Sequence, residues 1–148
     1  MAKGRRFTSH EGATSTGAGA STKTAGHTTL GLWVEATGLD PGNDTLEVRV
    51  EGSANNDHFA PLNRAAPSVD DALFITDSDF VQSDSDSNVY VGYIVLNNIA
   101  IEYVRANIMA YTDSDAESGI DVTTYLFTGG WSGEGKSYNA RNDTPVRR

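Results

Sequence analysis

Oxygen ligands at alternate positions are the densest chemical signal in this chain: Asp77 and Asp79, then Asp84, Asp86 and Asn88, then Asp113, Asp115 and Glu117. Carboxylates two residues apart suit a hard cation such as Ca²⁺, which makes Asp84, Asp86, Asn88, Asp113, Asp115 and Glu117 candidate metal ligands. The run from Asp84 to Asn88 imitates the opening of an EF-hand loop. The imitation stops there, because Val89 stands where that loop needs glycine and Val95 where it needs a bidentate glutamate. Solvated acidic turns account for the same residues. No cofactor is therefore expected unless a hard cation such as Ca²⁺ occupies one of these turns.

Catalytic patterns are weaker still. His10, His27 and His58 have no metal-ligand spacing. His58 lies close to Asp57 and Ser53, yet no Gly-x-Ser-x-Gly turn presents a nucleophile. The glycines around Trp131 follow an apolar alternation and open no helix, so they do not form a phosphate cradle. Paired carboxylates could serve a glycosidase only if one were held protonated in a cleft. A non-enzymatic protein is expected.

The elements that must position these groups are sorted by charge. Residues 28–134 carry eighteen acidic residues against Arg49, Arg64 and Arg105, a net of −15, while residues 1–27 and 135–148 are each +3. Three segments follow: a basic N-terminal arm (1–27), an acidic domain (28–134) and a basic C-terminal arm (135–148). Lys3, Arg5, Arg6, Phe7 and Lys23 in the first arm, and Lys136, Tyr138, Arg141, Arg147 and Arg148 in the second, are candidate partner-binding residues. An acidic body would repel a nucleic acid duplex, so the arms are expected to bind an acidic protein rather than phosphates. An acidic surface with so few lysines also suits concentrated salt, where screening shortens to roughly 3 Å and self-repulsion fades.

The chain has no cysteine, so no disulfide framework supports it. Its start has the charge of a signal peptide without the apolar stretch. Its longest apolar runs are far below the ~20 residues that span a bilayer, so no membrane role is expected. The Gly, Ser, Thr and Ala of residues 12–26 have little to bury and should not order by themselves; a neighbouring subunit would have to hold them.

The acidic domain alternates with period two. Leu30, Leu32, Val34 and Ala36 share one face, with Trp33 and Glu35 on the other. Leu46, Val48 and Val50 alternate with Glu47, Arg49 and Glu51. The Pro and Gly between these runs suit a hairpin-like connection. Short strands are expected near 58–62 and 73–76. Residues 89–96 are apolar on both faces and predict a central strand. Residues 101–111 and 120–128 complete the set. Strands at this spacing, without helical signals, predict an all-β fold, an antiparallel β-sandwich or jelly roll with extended N- and C-terminal arms. Trp33, Tyr90 and Tyr103 are candidate oligomer-interface residues.

The stretch Glu51-Gly-Ser-Ala-Asn-Asn-Asp-His-Phe-Ala-Pro-Leu62, followed by Tyr103-Val-Arg-Ala106, resembles a small β-sandwich of virion proteins of tailed viruses. With the acidic surface, the resemblance implies a structural protein of a tailed virus of halophilic archaea. The expected role is capsid decoration on the outer head surface, anchored to the major capsid protein through the two basic arms and assembled with copies of itself, preferably three. The insert at 67–88 and the two arms depart from the resemblance. A vertex turret, a tail or neck ring protein, and a Ca²⁺-dependent glycan-binding attachment module are the alternatives.

Overall fold

The computed structural model describes residues 5–63, 66–67, 74–97, 100–114 and 119–129. Two antiparallel sheets stack face to face, and no α-helix occurs among the described residues. The front sheet has the order β1 (Arg5–Ala13), β11 (Asp121–Thr128), β3 (Leu30–Thr37), β9 (Val89–Leu96) and β8 (Val81–Gln82). The back sheet runs β2 (Gly17–Lys23), β10 (Tyr103–Thr112), β4 (Thr45–Ser53), β5 (Ala60–Asn63) and β6 (Ala66–Pro67), and β7 (Phe74–Thr76) also pairs with β4. The chain is an all-β sandwich, as its alternation predicts.

The period-two pattern closes the core. Leu30, Leu32, Val34 and Ala36 of β3 and Val122 and Leu126 of β11 meet Leu46, Val48 and Val50 of β4 and Val104, Ala106 and Ile108 of β10, all buried. A register shift between Ile108 and Ala110 resets the alternation of β10. Tyr111 therefore packs against the core, and its hydroxyl donates to the Ile120 carbonyl at 2.6 Å.

The connection at 38–44 is not a hairpin. It carries the chain from β3 in the front sheet to β4 in the back sheet, two strands that do not pair. Side-chain chemistry sets this crossing: Leu39 is buried, and the Asp44 carboxylate accepts from the Asp40 N–H at 2.8 Å and from the Ser114 N–H and hydroxyl, both at 2.9 Å. Burial alone would raise the pKa of Asp44; these donors outweigh it and hold the acid below its ordinary value.

The largest departure from expectation is the N-terminal arm. Residues 5–23 are not an extended arm waiting for a neighbour; β1 completes the front sheet along β11, and β2 completes the back sheet along β10. Backbone ladders hold this segment where apolar side chains could not, and its small residues let the two strands approach. The buried Ser9 hydroxyl donates to the Ala20 carbonyl at 2.8 Å and accepts from the Ala106 N–H at 3.1 Å, tying the front edge to the back sheet. A side chain at Gly19 would collide with Ser9. His10 bridges the same seam, with Nδ1 2.8 Å from Thr124 Oγ1 and Nε2 2.9 Å from the Gly17 carbonyl. A carbonyl only accepts, so Nε2 carries the proton and Nδ1 accepts from Thr124. Burial lowers the His10 pKa against the smaller upward pull of the Gly17 carbonyl, in keeping with a neutral ring.

Candidate interaction surface

The two outer faces of the sandwich differ in chemistry. On the back sheet, Glu51 points away from the core yet is only 3% exposed, because it is enclosed by its partners. Its Oε2 accepts from Arg49 Nε at 2.9 Å, Arg49 Nη2 at 2.7 Å and Asn107 Nδ2 at 2.8 Å; its Oε1 accepts from Arg105 Nε at 2.9 Å. The Arg105 guanidinium lies 3.9 Å from the centre of the Phe59 ring. Desolvation alone would raise the Glu51 pKa. The Asn107 and arginine hydrogen bonds and the Arg105 charge reverse that, and the carboxyl sits below its ordinary value. With the carboxylate satisfied on every side, this face has the build of a structural clasp.

The front sheet turns apolar and aromatic side chains outward. Trp33 pairs across the ladder with Tyr93, Gly31 with Val95 and Glu35 with Val91; Trp33 also pairs with Tyr125 on its other side. The Trp33 and Tyr93 rings are 5.7 Å apart and tilted by 58°. Gly31 makes room for this arrangement, since a Cβ there would come within 3.0 Å of the Tyr93 hydroxyl. Tyr93 is 47% exposed, Val95 42% and Val81 69%. Trp33 is held by a hydrogen bond from its Nε1 to Glu35 Oε2 at 3.0 Å. Toward β8 the face dips into an open hollow of about 490 Å³, lined by Trp33, Val91, Tyr93 and Val81 with Asp79, Gln82, Ser83 and Asp84.

The apolarity of residues 89–96 on both faces thus has a different cause from the one expected. β9 has a full-length neighbour in β3 and, among the described residues, only the two-residue β8 on its other side. One of its faces is core and the other is open. Exposed apolar side chains grouped on one face make it a candidate interaction surface.

The residues singled out from sequence do not form one surface. Trp33 lies on this outer face, Tyr90 packs against the core, and Tyr103 lies on the back sheet beneath Lys23, whose Nζ is 5.8 Å from its ring. Tyr90 is half-buried on the core side of β9, where its register partner Ala36 also faces inward. In the former arm, Arg5 donates to Thr22 Oγ1 at 3.3 Å, Arg6 lies 4.9 Å above the Tyr125 ring and Phe7 packs against the core. Lys3, Lys136, Tyr138, Arg141, Arg147 and Arg148 lie outside the described residues.

Among the described residues no three His, Asp or Glu side chains gather as a metal site would require. Asp84, Asp86 and Asn88 form the turn between β8 and β9, where Asp86 accepts from the Asn88 N–H at 3.0 Å. Asp113 follows β10 of the other sheet, and Asp115 and Glu117 lie outside the described residues. The Ser53 hydroxyl is engaged in its own turn, accepting from the Asn55 and Asn56 N–H groups at 3.1 and 3.0 Å, while His58 is exposed at 3.8 Å from Asp57. These three side chains make no nucleophile-and-base pair.

No family model matches the chain, and no curated protein matches it. Among solved structures, the crystal structure of SPBc2 prophage-derived protein YomS is similar to it, with a TM-score of 0.47 and 21% identity, covering 85% of this chain and 92% of that one.

Proposed function

We propose that the chain is a non-enzymatic structural protein of a tailed virus of halophilic archaea, a decoration module on the outer surface of the head. In this reading the module assembles with copies of itself, three by preference, through the outer face of the front sheet, and contacts the major capsid protein. The observation that carries it is the patch of exposed Val81, Tyr93 and Val95 beside the half-buried Trp33, on a chain of net charge −9. Acidic chains repel one another in dilute salt; in concentrated salt the repulsion is screened and apolar contact decides association. The satisfied Glu51 cluster on the opposite face supports a division between a rigid side and a contact side. The virion setting is supported by the resemblance of residues 51–62 and 103–106 to small sandwiches of virion proteins.

Electron microscopy of purified particles labelled with an antibody against the chain tests the reading. Label distributed over the head surface is expected. Label confined to the tail or a single vertex would replace decoration with a tail or turret role, and a chain absent from particles would overturn the virion assignment.

A further inference from the structure

We infer that the hollow between β3, β9 and β8 receives residues 130–148 of a neighbouring copy. The inference rests on the self-assembly proposed above and names what occupies that face.

Three observations converge on this occupant. First, the hollow pairs chemical types in a definite way: the Trp33 and Tyr93 rings and Val91 supply an apolar floor, Asp79 and Asp84 supply carboxylates, and no basic residue among the described residues lines it. Second, the chain contains the complement. In residues 130–148, Tyr138 stands between Lys136 and Arg141, and Arg147 and Arg148 add further positive charge against Glu134 and Asp143, a net of +2. An aromatic ring between two cations matches a cleft of aromatic rings beside two carboxylates. Tyr138 would pack against Trp33 and Tyr93 while Lys136 and Arg141 meet Asp79 and Asp84 at contact range, where salt screens least.

Third, the path of the chain favours a neighbour. β11 runs from the Thr37 end of β3 to its Leu30 end, and Gly129 is fastened there by its N–H to the Thr29 carbonyl at 2.7 Å. At Gly129 the chain is therefore heading away from its own Trp33, which pairs with Tyr125 farther back along β11. Nineteen further residues can extend at most about 65 Å, enough to cross onto an adjoining module.

The chain lacks cysteine, so engineered cysteines report this contact without background. Two single variants, Val81→Cys and Ser137→Cys, are mixed in equal amounts, oxidised mildly and mapped by mass spectrometry. A disulfide between the two variant chains is expected. It should be lost when Lys136→Glu and Arg141→Glu are added to the Ser137→Cys chain, and it should not form when Glu47→Cys on the back sheet replaces Val81→Cys. Equal linkage at the two faces would overturn the inference, as would a Val81→Cys, Ser137→Cys double variant that links only within its own chain while the mixed single variants do not link. So would no linkage from variants that still assemble, a result that would leave the self-assembly reading standing.

Discussion

Deletion of residues 1–23 is expected to abolish cooperative folding of the remaining chain. The deletion removes β1 from β11 and β2 from β10, leaving two long strands, one in each sheet, with open hydrogen-bonding edges. It also removes Phe7 from the edge of the core and both buried hydrogen bonds of Ser9. A net 0.5–1.5 kcal/mol for each lost hydrogen bond, summed over two strands, is of the same order as the whole stability of an ordinary domain, about 5–15 kcal/mol. Bare edges also invite pairing between chains. Thermal unfolding followed by circular dichroism, together with sedimentation velocity, should show no sharp transition and a shift to large species. A truncated chain that melts like the complete one would mean that this segment is dispensable.

Glu51→Ala should destabilise the fold by about 3 kcal/mol, the lower end of the range for breaking a buried pair, because Arg49 and Arg105 keep part of their hydration once the carboxylate is gone. Glu51→Gln retains the shape but not the charge and should cost less. Urea unfolding measures both. The dependence on pH carries a second signature with a definite sign. Glu51 and Asp44 have folded pKa values below their unfolded ones, so the unfolded chain takes up protons first and stability falls as pH drops below about 4.5. His10 acts in the same direction at higher pH: its folded pKa is also lowered, so stability falls as pH drops below 6.5, where the unfolded imidazole takes up a proton. The wild type should lose stability in both ranges. Glu51→Ala should lose the lower step in part while the upper step persists; an unchanged acid profile would show that the carboxylate contributes nothing to the fold.

The strands were legible wherever apolar side chains alternate. The runs at 30–37, 45–53, 103–112 and 121–128 are strands, as their alternation implies, and 89–96, apolar on both faces, is a strand as well. β1 and β2 were hidden because their attachment is made by backbone groups and by Ser9 and His10, and hydroxyls and small residues leave no apolar period to read. The pairing of sheets was hidden too: Pro41 and Gly42 signal a turn equally well in a hairpin and in a crossing between layers, and the buried Leu39 and Asp44 decide for the crossing. The candidate contact face was partly visible. Both-face apolarity of residues 89–96 was the trace of the exposed patch, but only register separates Tyr93, beside Trp33, from Tyr90, against the core. The Glu51 cluster had no trace at all, since Glu51, Arg105 and Asn107 meet only when β4 pairs with β10.

The central claim is that the outer face of the front sheet joins copies of the chain, and the mass of the assembled protein tests it most directly. Light scattering in concentrated salt should find a closed assembly of three copies of the 15.8 kDa chain. Trp33→Asp with Tyr93→Asp should reduce it to single copies whose melting temperature stays close to that of the wild type. The same mass for wild type and variant, whether assembled or single, would contradict the account.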